Sequence, residues 1–314
     1  MKNTFKHISK ALLIVWAIML FVQCSDDKND LYVPPTIVES THPNDVYIKS
    51  HMFEKYGTAV RWRWDDRFIK PTQRAVPVAD SLVIPVTKLV EYLWIGPYKS
   101  VGKAGEDFMD KLFPAELQYM GSYIFKKDGS RLLGYAEAGA RITLLNLNAY
   151  DLTNRDWLTG PGGGILATVH HEFTHIVHQN HAIPVGFNKI SERYLGNGWL
   201  NDVSLNDAIK LGMVRNYGTM NEHEDFCEIV SHFLVMTKED FEARYITQKD
   251  LSEITDVNKL KEEQDLNKGR ALIAQKLEMV INYYQNSFGF NLVEVRDEMQ
   301  KRLDYVITNN KFPE

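Results

Sequence analysis

Apolar positions along this chain repeat with two periods, and the change from one to the other divides it. Short alternating or continuous apolar runs at 61–65 (Arg61-Trp62-Arg63-Trp64-Asp65), 82–86, 117–125, 132–138 and 141–148 predict strands, with Lys127-Asp128-Gly129 as a turn between the third and fourth. Spacings of three and four predict helices over 87–94 and 105–112, and over 165–178, where Ile165, Val169, Phe173 and Ile176 form one stripe flanked by Leu166 and Val177. Beyond Pro184 the chain reads as mostly helical: 205–211 with Gly212 as its stop, 220–236, 256–285 and 291–306. The order predicts an α+β fold, with a mixed α/β part over 46–180 that ends in the 165–178 helix and a mainly helical part over 181–314. No internal repeat is visible.

The polar face of the 165–178 helix carries chemistry. His171-Glu172-Phe173-Thr174-His175 is an HExxH motif, and residues four apart on a helix share a face with Cβ atoms roughly 6 Å apart. Two imidazoles so placed can converge on one metal ion, with Zn–N distances of about 2.0 Å. Glu172 follows the first histidine and can reach a water at that ion without binding the ion itself, the arrangement for a general base in zinc-assisted hydrolysis. The bland alternative is an amphipathic helix with ordinary polar residues, but the helical context favours a Zn²⁺ site. The glycines Gly162-Gly163-Gly164 lack a following Gly-Lys-Ser/Thr and read as a flexible lead-in rather than a phosphate loop.

Two residues compete as third ligand. His181 lies ten positions after His171, but if the helix simply continued it would sit about 15 Å along the axis. His178, on the ligand face, reads as a rim or hydrogen-bonded residue. The other candidate is Glu224, on a helix that Thr219 and Glu222 would open as a capping box. There Phe226, Val230 and Phe233 form an apolar line, and Glu224, Glu228 and Ser231 a polar one. Carboxylates four apart suit a ligand plus a supporting acid that fixes the tautomer of a zinc histidine. A solvated acidic face is the alternative. Cys227 reads as a buried apolar side chain rather than a fourth ligand, and Trp62 and Trp64 as packing residues rather than a sugar platform.

The N-terminus differs in kind. Lys2, Lys6 and Lys10 precede an apolar run over 11–22 that ends at Cys24, too short for a comfortable membrane span, and residues 1–23 read as a secretory signal. Residues 24–45, with Pro34-Pro35, read as a tether. Besides Cys24 the chain has one other cysteine, Cys227, which would have no disulfide partner if Cys24 were modified or removed. The 314 residues are 44% hydrophobic and 25% charged, which is ordinary globular composition, and a net charge of -5 without a basic run argues against nucleic acid as a partner.

Cys24 followed by Ser25-Asp26-Asp27-Lys28-Asn29-Asp30 resembles a bacterial lipoprotein cleavage site with an acidic surface-export signal, although Gln23 and Phe21 depart from the usual residues. The HExxH helix, Tyr217 seven residues ahead of Glu224, and Glu224-Asp225-Phe226-Cys227-Glu228 are similar to the gluzincin catalytic domain of the anthrax lethal factor type. With the lipoprotein start, the chain resembles the substrate import-associated zinc metallohydrolase lipoproteins of Bacteroidota. The resemblance implies a zincin-like fold with a sheet edge over the active-site helix. It implies zinc on His171, His175 and Glu224, Glu228 in support, Glu172 as base and Tyr217 as donor to the oxyanion. It also implies a lipid anchor at Cys24, a surface-exposed position on the outer membrane, a peptide or protein substrate, and a TonB-dependent importer with its binding lipoprotein as neighbours. The strand 141–148 is the candidate substrate-pairing edge. A zinc amidohydrolase on a non-peptide substrate, and a substrate-capture lipoprotein with a non-catalytic zinc site, remain as alternatives.

Overall fold

The computed structural model describes residues 39–132, 135–137, 140–160 and 163–313; the signal segment, Cys24 and the tether as far as residue 38 lie outside them. Helix α1 (Pro43–Ile48) starts behind His42, whose Nδ1 accepts from the Asn44 amide, with proline at a position that needs no N–H. A π-helical stretch, Lys49–Phe53, leads into α2 (Glu54–Tyr56), and Gly57 in the left-handed region ends it. Strand β1 (Ala59–Arg61) follows, shorter and earlier than the 61–65 alternation predicts. Trp62 is buried beyond its end, with Nε1 donating to Asp45 at 2.8 Å.

Residues 82–86 are not a strand. They open α3 (Val83–Leu89), which continues through a π-helical stretch, Val90–Ile95, into α4 (Gly96–Lys99). A continuous apolar run has no readable period. Here Val83, Val86, Leu89, Val90, Leu93 and Trp94 are all buried at helical spacing. Pro85 falls in the first turn, where backbone N–H groups lack intrahelical partners anyway.

After α5 (Lys103–Leu112) come β2 (Glu116–Tyr119), β3 (Ile124–Phe125), β4 (Arg131–Leu132), β5 (Tyr135–Glu137) and β6 (Arg141–Leu144). The main sheet has the order β1-β2-β6-β5. Its first three strands are parallel, with Leu117 opposite Ile142, and β5 runs antiparallel with Tyr135 opposite Thr143. The strand before the metal helix, β6, is therefore interior rather than an edge, and β5 is the edge strand beside that helix. The expected 117–125 strand divides, because its second half turns away at Gly121 to form the β3–β4 hairpin over Gly129.

Helix α6 (Arg155–Thr159) precedes α7 (Ile165–Asn180), which lies against β5 and β6. The chain closes with α8 (Leu205–Lys210), α9 (Glu222–Val235), α10 (Lys238–Tyr245), α11 (Val257–Phe288) and α12 (Leu292–Asn309). Asn221 caps α9 by accepting from the His223 and Glu224 amides, while Thr219 is buried and bonds Asn216; the cap thus falls two residues later than expected. One apolar core joins Leu117, Ile142 and Leu144 of the sheet to Trp94, Phe173, Phe226 and Phe233 of the helices. Among the described residues no helix is long and apolar enough to cross a membrane.

Candidate metal centre

Among the described residues helices α7 and α9 make the most extensive helix–helix contact, and they meet along two rows of side chains. Ala167, His171 and His175 repeat every four residues on α7; Ser231, Glu228 and Glu224 repeat every three or four on α9 and run the opposite way. At one end Ser231 Oγ donates to the Ala167 carbonyl at 2.6 Å. In the middle, His171 Nδ1 lies 3.4 Å from Glu228 Oε1. At the other end, Glu224 Oε2 lies 3.1 Å from His171 Nε2 and 3.3 Å from His175 Nε2.

The two Nε2 atoms are 3.2 Å apart. Three lone-pair atoms thus form a nearly equilateral triangle. Ligands about 2.0 Å from a tetrahedral zinc stand about 3.3 Å from one another, so the triangle fits one face of such a site. The remaining ring nitrogens fit too. His171 Nδ1 is buried without a hydrogen bond of good geometry, and the Glu228 carboxylate stands opposite it at ion-pair distance. Glu228 is itself buried, held by Arg215 at 3.3 Å and by His232 at 3.2 Å. His175 Nδ1 has His178 Nε2 at 2.9 Å and Cys227 Sγ at 3.4 Å. Burial and the neighbouring His175 and His223 rings hold the His178 pKa down at about 4, so it remains neutral and can accept a proton bond.

Electrostatics follow the same geometry. Burial alone would raise the Glu224 pKa, but hydrogen bonds from both imidazoles win and hold its carboxyl well below the usual range. Burial would lower the His171 pKa, but the facing carboxylates of Glu224, Glu228 and Glu172 leave it raised. Burial and the Glu224 carboxylate push the Tyr217 phenol well above its ordinary value, so it stays protonated. Tyr217 opens a short 3-10 turn, with its ring 5.8 Å from that of His171 and 4.9 Å from that of Trp199. A cleft of about 320 Å³ opens here, bordered by His171, Glu172, Trp199, Arg215 and Tyr217.

The structure brings His171, Glu172, His175, Tyr217, Glu224 and Glu228 together around this cleft, and Cys24, named for lipidation, lies outside the described residues. His181 does not join it: it is the C-cap of α7, its ring packs on Phe288, and its carbonyl accepts from Tyr283. His170, next to the motif, faces the core and meets the Tyr98 hydroxyl at 3.3 Å. Gly164 is more than part of a lead-in, since a Cβ there would stand 2.4 Å from the Gly160 nitrogen.

Sequence reasoning missed three supporting residues. Arg215 and His232 flank Glu228; Arg215, outside any helix, gave no periodic signal, whereas His232 continues the four-residue spacing of Glu224 and Glu228. Lys276 is fully buried and paired with Asp225, the residue after Glu224; its sign was a lysine within the α11 apolar stripe of Ile273, Leu277 and Val280.

A mixed sheet with an antiparallel edge over a helix bearing two histidines, joined by a carboxylate from a second helix, defines a zincin-like metallopeptidase. The profile of a family described as "Putative zinc-binding metallo-peptidase" matches residues 38–293. The chain belongs to that family, whose metal is zinc. A crystal structure titled as a putative zinc-binding metallo-peptidase from Bacteroides caccae is similar at 27% identity and a TM-score of 0.65, over 85% of this chain and 93% of that one. No curated protein matches.

Proposed function

We propose that this chain is a peptidase in which His171, His175 and Glu224 hold Zn²⁺, Glu172 is the general base and Tyr217 stabilises the oxyanion. The observation that carries the reading is the triangle of three lone-pair atoms on a cleft that Glu172 also borders. A zinc ion there supplies Lewis acidity and lowers the pKa of a water toward about 7. Glu172 takes the proton as water attacks the amide and passes it to the departing amine. Tyr217 keeps its proton, for the reasons above, and donates it as a hydrogen bond to the developing oxyanion. The Glu228 carboxylate, 3.4 Å from His171 Nδ1, favours the proton on that nitrogen and so leaves Nε2 for the metal. Among the described residues β5 pairs on one side only, which favours an extended peptide added as a further strand over a non-peptide amide.

The test is a pair of variants with metal analysis. Glu172→Gln retains zinc and loses peptide hydrolysis, whereas Glu224→Ala loses zinc; undiminished turnover in the first, or full metal content in the second, overturns the assignment.

The same proposal extends to location. The basic and apolar start ending at Cys24, with the acidic stretch after it, supports a lipid-anchored protein on the outer face of the outer membrane; the resemblance to import-associated lipoproteins, and no residue of the chain, adds a TonB-dependent importer and its binding lipoprotein as partners. Cys24→Ser should release the protein from the membrane fraction, and continued sedimentation with membranes counts against the anchor.

A further inference from the structure

The β3–β4 hairpin borders the same cleft and brings to it Lys126, Arg131 and Leu132. The two cations are placed differently from Arg215, the third on the cleft. Arg215 is engaged with the buried Glu228 carboxylate. Lys126 and Arg131 are exposed, and among the described residues neither has a carboxylate within ion-pair distance.

Arg131 is nevertheless held in place. Its guanidinium stacks 4.5 Å from the centre of the Tyr123 ring, and the Tyr123 hydroxyl donates to the Gly163 carbonyl at 3.4 Å, just ahead of the metal helix. Stacking occupies the face of a guanidinium and leaves its in-plane N–H donors for a planar acceptor. The hairpin is also fastened from behind, where Arg74 and Phe125 exchange backbone hydrogen bonds. With a divalent ion in place, the groups bordering the cleft carry net positive charge, whereas the whole chain carries -5. A cleft lined by one sign of charge concentrates ligands of the other.

Resting on the peptidase reading, we propose that Lys126 and Arg131 form a carboxylate-recognition subsite, so that the enzyme selects peptides bearing an acidic group near the bond presented to the metal. That group is either an acidic side chain or the C-terminal carboxylate of a short peptide. Arg131 makes the in-plane, two-pronged contact, and Lys126 adds a movable charge on the same hairpin. Neither touches the reacting atoms; they govern which peptide is held there.

The test reads binding rather than turnover, so it is separable from the peptidase reading, which is judged by wild-type hydrolysis. Zinc-loaded Glu172→Gln protein is titrated with three dansyl peptides, followed by fluorescence anisotropy. One is neutral with an amidated C-terminus; the second has one interior Glu and the same amide; the third is neutral with a free C-terminal carboxylate. At least one acidic peptide should bind about ten-fold more tightly than the neutral amide, a gain that shrinks with added salt. Which one gains identifies the source of the carboxylate. Adding Lys126→Gln and Arg131→Gln should remove the gain. Lys126→Glu with Arg131→Glu should transfer the preference to a peptide carrying Lys, a result that misfolding cannot imitate. Equal affinity for the three peptides, no measurable binding of any, or a gain that survives both double substitutions overturns the proposal.

Discussion

Lys276→Met probes how a group remote from the chemistry sustains the metal centre. Lys276 of α11 and Asp225 of α9 are both fully buried and directly paired; Lys276 Nζ also donates to the Gly212 carbonyl at 2.9 Å, and Tyr194 donates to the same Asp225 oxygen at 3.0 Å. Burial is the largest influence on both: it lowers the lysine pKa and lifts that of Asp225 to about 6 even with the ammonium beside it. The pair is therefore no large reserve of net stability, yet taking away one member strands the other. Such a loss costs about 3–5 kcal/mol, a fifth or more of the roughly 5–15 kcal/mol available to a folded domain. Asp225→Asn with Lys276→Met removes both charges and should recover about 2 kcal/mol of that loss as coupling. Urea unfolding of zinc-loaded and chelator-treated protein, followed by circular dichroism, measures both quantities. Because Glu224 precedes Asp225 in the first turn of α9, competition with a chromophoric chelator should also show weaker zinc binding in Lys276→Met. A single-variant loss below about 1 kcal/mol, or a double variant no more stable than the single, refutes the reasoning.

Further outcomes follow from the site. Tyr217→Phe should lower kcat about 10²-fold with KM nearly unchanged, because the proposed mechanism uses the hydroxyl in the transition state alone; steady-state kinetics check this. Glu228→Gln should weaken zinc binding about 10- to 100-fold by removing the charge opposite His171 Nδ1, read by chelator competition. Zinc affinity should fall as pH drops through the raised pKa of His171, above its ordinary 6.5, because the proton and the metal compete for Nε2. In metal-free protein the Glu224 contribution to stability is present above its ordinary 4.5 and lost as pH falls through its depressed value. That of His171 is present below 6.5 and lost as pH rises through its raised value. Metal-free stability should therefore be best supported by this pair between those ordinary values, as melting temperature across pH will show.

The metal helix was legible because two signals coincided in it, a 3.6-residue apolar stripe and HExxH on the opposite face. Phe173 shows the economy of that code: it sits inside the motif and is buried in the core, while His171 and His175 on either side face the centre. Glu224 and Glu228 were legible through a polar row opposite the Phe226 line. What failed was local. Residues 82–86 lacked a period, so a helix and a buried strand looked alike. The place of β6 within the sheet depends on β5 pairing outside it, a partnership no pattern along one strand contains. Asn221 outranked Thr219 as cap because its side chain reaches two amides at once. Arg215 and Lys276 became visible only when the fold brought them to their carboxylates.

His171 and Glu224 stand 53 positions apart in the chain, and the thiol of Cys227 is free. A metal bridging them would act as a removable staple. By the loop-closure reasoning used for disulfides, tying off a segment of this length withdraws about 4 kcal/mol of freedom from the unfolded chain. An ion serving the proposed hydrolysis would thereby also guard the protein against being cut, so starvation for zinc should leave a chain that other proteases clear.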